Sequence, residues 1–212
     1  MDRKRKATTM GTLSLTQFLS LDGVHQAPGG PDEDTSGGFG QGGWTVPYAD
    51  EDFMSFVNTV FQHPTAFLLG RRTYEIFAGY WPQHETPGDP VSTKLNALPK
   101  YVASNTLTEA DWSGTTILSG DVIKEVAALK ERTDGEIQMH GSAGLAQSLL
   151  AHDLIDTMHL HVFPVVLGEG RRLFADGARP TAFRLTGLRA TASGIAIHTY
   201  ELAGRPEYGS YG

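Results

Sequence analysis

The sequence predicts an α/β fold in which a mostly parallel central sheet is covered by helices on both faces and ends in an antiparallel edge. Three observations point there. Over the first two thirds of the chain, short apolar runs of strand length alternate with segments of helical periodicity, the pattern that links parallel strands through crossovers. The last strand-like runs follow one another with no helix between them, which predicts antiparallel pairing at one edge. The chain has 212 residues, 40% of them hydrophobic, enough for one well-cored domain.

The elements can be justified in order. Residues 12–21 read as the first strand, with Leu13, Leu15, Phe18, Leu19 and Leu21 as apolar content. Residues 22–43 hold eight glycines and two prolines in 22 positions with little periodicity, a loop too long to be an ordinary connection. Phe53, Phe56, Val57, Val60 and Phe61 then share one helical face, with Asp50 or Asp52 able to cap the start and Pro64 breaking the end. A short strand at 66–69 and a short helix at 71–77 follow. After a Pro-rich excursion at 81–90 come a helical turn at 92–97 and strands at 100–103 and 115–118. An amphipathic helix at 121–132 turns Val122, Ile123, Val126 and Leu129 inward. A strand at 136–139, a helix at 142–151 and strands at 157–163, 183–190 and 195–202 complete the chain. Residues 1–10 are expected to be a disordered basic leader, 11–203 a single domain and 204–212 a flexible tail.

Composition excludes several classes of function. With no cysteine there is no disulfide framework, zinc–thiolate site, iron–sulfur cluster or catalytic thiol. No apolar run approaches the roughly 18–20 residues that span a bilayer. The formal charge is −7, yet Arg3, Lys4, Arg5 and Lys6 crowd the first nine positions, leaving an acidic body. That body argues against nucleic acid as a partner, although the basic head has the composition of either a nucleic-acid arm or an unstructured leader. A small-molecule substrate, a cytoplasmic setting, no membrane partner and no metal are expected.

Ligands of open α/β sheets bind outside the carboxyl ends of the strands, where helix N-termini offer free N–H groups. Two strand-to-helix junctions suit that position. At Gly70, Arg71, Arg72 and Thr73 a glycine lets a phosphate approach the backbone, a hydroxyl can donate and arginines can neutralise it; a solvated surface turn is the alternative. At Gly141, Ser142, Ala143, Gly144 and Leu145 two glycines three apart straddle a small pair, a reduced phosphate cradle without a Walker or GxGxxG signature. Ser104 and Asn105 end another strand with small polar groups. His159 and His161 lie two apart on one strand face with no third ligand at a recognisable spacing, and read as a structural pair. Asp22 and Asp50 are candidate proton donors, against a turn with Gly23 for the first and a helix cap for the second.

Taken together, SLDG (20–23), GGWTVPYAD (42–50), LLGRRTYE (68–75), YVASNTL (101–107), HGSAGL (140–145) and FPVVLGEGRRLF (163–174) resemble the dihydrofolate reductase-like superfamily. The likeness is to the branch containing the C-terminal reductase domain of the bifunctional riboflavin-biosynthesis deaminase/reductase. It implies a three-layer α/β/α dihydrofolate reductase-like fold, homodimerisation and NADPH as cofactor. By that resemblance Gly70 to Thr73 meet the adenosine-side phosphates, Ser104 and Asn105 lie near the 2′-phosphate, and Gly141 to Leu145 hold the pyrophosphate. Asn105 stands where relatives often carry Arg, which shifts the extra charge to Arg71, Arg72 or another cation. Trp44, Tyr48 and Asp50 would face the substrate, the Gly-rich loop would act as a lid, and Asp22, Asp50 or a held water would supply a proton. The activity implied is hydride transfer to a C=N or C=O bond of a pteridine- or pyrimidine-like metabolite. A non-catalytic NADP(H)-binding protein and a true dihydrofolate reductase are the alternatives.

Overall fold

The computed structural model describes residues 10–174 and 176–212, so the basic leader expected ahead of Met10 lies outside the described residues. β1 (Thr12–Ser20) forms the middle of an eight-stranded sheet and is buried along nearly its whole length. To one side of it stand β5 (Glu136–His140), β2 (Pro64–Gly70), β3 (Lys100–Ala103) and β4 (Thr115–Leu118); to the other stand β6 (Thr157–Phe163), β8 (Ala196–Gly204) and β7 (Ala182–Ala190). β1 to β6 pair in parallel, while β8 is antiparallel to both β6 and β7. The expected mixed sheet with its antiparallel C-terminal edge is present.

Alternation along the central strands sorts side chains into two layers. Leu13, Leu15, Ile137, Met139, Met158 and Leu160 face α4 (Val122–Arg132) and α5 (Ala143–Leu150), whose Val126, Leu129, Ala146 and Leu149 complete that core. The opposite face is covered by α1 (Glu51–Val60), α2 (Arg71–Tyr80) and α3 (Pro90–Ala97), through clusters built on Phe53 and Phe163 and on Phe61, Phe67 and Leu95. Helices on both sides of the sheet give three layers.

Two local readings needed the fold to complete them. β2 starts at Pro64 rather than after it: proline, lacking an N–H, is tolerated at a strand's first position, and the register shifts before Ala66. α3 begins two residues earlier than the turn read from the sequence, because the Asp89 carboxylate accepts from the Val91 and Ser92 amides and Pro90 takes the first helical position. At its other end the fully buried Lys100 donates to the Leu95 and Leu98 carbonyls, both at 2.8 Å, and lies over the Trp112 ring. The last turn of α3 is thereby pinned beside the amino end of β3.

The Gly-rich segment after β1 is a packed loop with its own hydrophobic contacts. Val24, Ala27, Phe39 and Trp44 are buried, the Trp44 indole donates to the Gln26 carbonyl at 2.8 Å, and the Gln26 amide donates to the Asp34 and Ser36 carbonyls. Glycine is required at Gly42, where a Cβ would fall 2.5 Å from the Gly30 carbonyl oxygen. After β8, residues 205–212 have no regular secondary structure, and Arg205 pairs with Asp153.

Candidate nucleotide and substrate cleft

β1 continues to Ser20 while its neighbour β5 stops at His140, and the bond from the Gly141 amide to the Thr16 carbonyl closes their shared ladder. Beyond it the sheet opens into a cleft of about 990 Å³. The starts of α2 and α5, the last part of β1, one face of α1 and the loop from His25 to Asp34 line it.

Helix starts distinguish this cleft from the rest of the surface. Among the described residues α1, α3 and α4 are each capped by an aspartate side chain, whereas α2 and α5 have no side-chain cap. Both uncapped helices begin in the cleft. An uncapped N-terminus leaves N–H groups directed outward with the positive end of the helix dipole behind them. Ser142, which should have capped α5, sits in the left-handed region (φ +56°) after Gly141 (φ +61°) and turns its hydroxyl away. That hydroxyl accepts from the Gly70 amide and donates to the Thr73 hydroxyl, each at 2.9 Å, tying the two junctions together. A Cβ at Gly144 would meet open space, so this first turn of α5 is unobstructed.

Gly70, Arg71, Arg72 and Thr73 and the run Gly141, Ser142, Ala143, Gly144 and Leu145 all line the cleft. Ser104 and Asn105 do not. Ser104 accepts from the Thr106 and Leu107 amides and Asn105 pairs with both backbone groups of Gly120, while Arg71 reaches that loop through the Thr106 hydroxyl at 2.5 Å.

The structure employs the two candidate acids elsewhere. Asp50 accepts from the Phe53 amide at 2.8 Å and the Ser193 amide at 2.8 Å, bonds that hold its carboxyl below the ordinary value while fastening α1 to the β7–β8 turn. Asp22 accepts from the Ser20 hydroxyl and the Leu167 and Gly168 amides, which draw its pKa down to about 2 against the effect of burial. Neither lines the cleft, and a carboxyl stabilised as its anion is a poor proton donor. Trp44 and Tyr48 pack on Phe163, with ring centroids 5.4 and 6.0 Å away, in the core beneath the loop. Phe53, Met54 and Val57 of α1 and Phe61 just after it line the cleft instead, together with Phe77, Trp81 and Leu95.

Several lining residues had no role read from the sequence. Asp34 joins Arg72 and Arg171 across the mouth, with Ser36 between them. Arg171 lies in the GEGRRLF run, so its presence was visible but its partner, 137 positions earlier, was not. Thr16 and Gln17 gave no signal beyond being polar residues in an apolar strand. His140 stacks on Phe61 with centroids 4.5 Å apart, and burial, with His159 nearby, pulls it down to about 3 and keeps it neutral. His159 bonds the Thr199 hydroxyl and His161 is enclosed by phenylalanines. Among the described residues no cluster of three or more His, Cys, Asp or Glu side chains has the arrangement of a metal site, and no helix is long and apolar enough to cross a membrane.

A sheet covered by helices on both faces and opening at β1 and β5 onto two helix N-termini gives the chain a dihydrofolate reductase-like fold. More specifically, the chain belongs to the RibD C-terminal domain family, whose model matches residues 12–197. It is 28% identical over 170 residues to the uncharacterized protein YyaP of Bacillus subtilis (strain 168), covering 78% of this chain and 86% of that one. The uncharacterized YwjB of the same organism is 28% identical over 182 residues, covering 85% and 92%. Among solved structures, a candidate riboflavin biosynthesis protein of Shewanella sp. PV-4 superimposes with a TM-score of 0.69 at 21% identity, over 90% of this chain and 98% of that one. A pyrimidine reductase-like protein of Corynebacterium diphtheriae gives 0.62 at 14% identity, over 91% and 92%. Dihydrofolate reductase of Enterococcus faecalis, solved with NADP(H), gives 0.57 at 14%, over 92% and 98%. These structural likenesses show the fold, and the family supports a reductase-like role related to riboflavin biosynthesis.

Proposed function

We propose that this chain is an NADPH-dependent reductase that delivers hydride to a C=N or C=O bond of a small pteridine- or pyrimidine-like metabolite, working in the cytoplasm as a homodimer. One observation carries the reading. The two helices without side-chain caps both start in the cleft and are joined there by Ser142. A dinucleotide needs separate places for its pyrophosphate and its distal phosphate, and two adjoining anion-binding helix starts meet that need.

In this reading the Ala143, Gly144 and Leu145 amides hold the pyrophosphate. The start of α2, with Arg71 and Arg72, takes the adenosine-side phosphates. Ser104 and Asn105 act by holding the loop against which Arg71 is braced through Thr106. NADPH, when bound, supplies the hydride. The chain supplies an apolar wall from α1 and α3 that excludes water, and the loop around Asp34 closes the mouth. With Asp22 and Asp50 bonded as anions, we assign the proton to one water held in the closed cleft. For the homodimer the support is β7, which leaves Leu185 48% and Leu188 68% exposed on an edge hairpin.

The first test is a melting curve with NADPH. A site occupied at a hundred times its Kd adds about 2.7 kcal/mol, worth roughly 5–11 °C in a domain of this size. Quenching of tryptophan fluorescence through Trp81 should accompany it. If saturating NADPH changes neither signal, the proposal is lost at its first step.

A further inference from the structure

The inner end of the cleft contains polar atoms for which neither the fold nor the phosphate-binding junctions have a use. Thr16 and Gln17 are 6% and 3% exposed, and both line the cleft. Thr16 Oγ1 and Gln17 Oε1 are buried without a hydrogen-bond partner. Gln17 orients its amide by directing Nε2 toward the Phe18 carbonyl at 3.5 Å, which leaves Oε1 as a free acceptor. Leaving a buried acceptor unpaired is costly, and native interiors hold few such atoms. Two on consecutive residues, at the point where β1 outruns β5, mark a place where a ligand completes the bonding. Consecutive strand residues point to opposite faces, so a molecule touching both lies across the freed edge of β1.

The surroundings define its chemistry. The walls are apolar and largely aromatic, with Phe18, Phe53, Val57 and Phe61 on the α1 side. His140, the register partner of Thr16, also lines the cleft, and burial keeps it neutral. Among the described residues the cations that line the cleft are four arginines, all half-exposed at its mouth and all facing carboxylates: Arg71 faces Glu75, Arg72 and Arg171 face Asp34, and Arg172 faces Asp22. No lysine lines it. A charged group carried inward would lose hydration with nothing to replace it.

We propose that the inner recess recognises an uncharged flat heterocycle that donates an N–H to Gln17 Oε1 and exchanges a hydrogen bond with the Thr16 hydroxyl, and that it disfavours substrates bearing a phosphoribosyl group. This deepens the reductase reading and rests on it for what happens after binding. The binding itself can be tested separately.

The probes are pterin, lumazine and uracil, with a phosphoribosyl-bearing aminouracil as the charged comparison. Each is titrated calorimetrically into the full chain, alone and with NADP+. At least one flat ring should bind more tightly than the phosphoribosyl compound. For that ring Gln17→Leu and Thr16→Val should each weaken binding tenfold or more, while Thr16→Ser, which keeps the hydroxyl, retains most of it. Far-ultraviolet circular dichroism melts identify any variant that fails to fold, and the Thr16→Ser and Thr16→Val pair then carries the comparison. The proposal is overturned if none of the three rings binds, if the phosphoribosyl compound binds best, or if the folded variants bind like the parent chain. Failure of NADP+ to bind while a ring does would sink the reductase reading and leave the recess assignment standing.

Discussion

His161→Phe should change how stability depends on pH. His161 is fully buried beneath α1, its ring edge-on to Phe18, Phe53 and Phe56 at 5.1, 5.7 and 5.1 Å, and neither ring nitrogen has a hydrogen-bond partner of ordinary geometry. Burial, reinforced by His159 and His140, pulls its pKa from 6.5 to about 3, with the Gln17 and His159 carbonyls opposing weakly. The folded state therefore refuses a proton that the unfolded chain accepts. Above pH 6.5 neither state is protonated and the histidine costs nothing through linkage. Between pH 6.5 and 3 the unfolded state binds more protons, and stability falls by about 1.4 kcal/mol per pH unit for this one group. At pH 5 that amounts to about 2 kcal/mol. Phenylalanine has no proton to refuse. Near neutrality it should also remove two unpaired ring nitrogens, a gain of about 1–3 kcal/mol, against an overpacking cost of similar size. The sign at pH 7 is thus left to packing, but the change in the difference between pH 7 and pH 5 is not. Urea unfolding at both pH values should show the variant gaining about 2 kcal/mol relative to wild type on acidification, with carboxylate protonation common to both chains. An unchanged difference would mean that His161 is already protonated in the folded state or open to water, and the account of the layer under α1 would have to go.

Two other substitutions test how the cleft is built. Ser142→Ala removes the hydroxyl that joins Gly70 to Thr73; it should cost about 1–3 kcal/mol in chemical unfolding and weaken NADPH binding, and loss of neither would show that the two junctions hold their places independently. Asp50→Ala should lower the melting temperature by freeing the start of α1 and the Ser193 amide, while Asp50→Asn, which keeps one acceptor for the Phe53 amide but turns its NH2 toward the Ser193 amide, should melt between Asp50→Ala and wild type and leave any NADPH oxidation the chain supports near the wild-type rate. A collapse of turnover in a well-folded Asp50→Asn would return that carboxylate to the chemistry.

How far the sequence could be read followed the distance over which each feature is determined. Strand and helix positions depend on periodicity within a dozen residues, and nearly all of them were legible, the antiparallel edge included. The strand-to-helix junctions at 70–73 and 141–145 were legible for the same reason: each is a strand end, a glycine and a helix start in immediate succession. Asp22 and Asp50 show the opposite case. Their partners at Leu167, Gly168 and Ser193 lie 143 to 146 positions away, so nothing local distinguished a proton donor from a fastening. The order of strands hid the recess as well. β5 enters the sheet between β1 and β2, and only then does the short end of β5 expose Thr16 and Gln17.

The charge of the chain poses a problem that the cleft resolves locally. In the proposed function an acidic body has to accept a highly anionic dinucleotide, and Arg71 and Arg72 look from the sequence like the means. In the fold each lining arginine already faces a carboxylate, Asp34 alone answering two of them, so the side-chain cations bring little uncompensated charge to the site. What remains uncompensated is the backbone: two helix starts left without caps, their N–H groups turned to the same space. On this account phosphate binding is governed more by amide geometry than by net charge. Its dependence on salt should accordingly be shallow for a ligand carrying that many negative charges, since fixed dipoles at close range are screened far less than exposed charges across a Debye length.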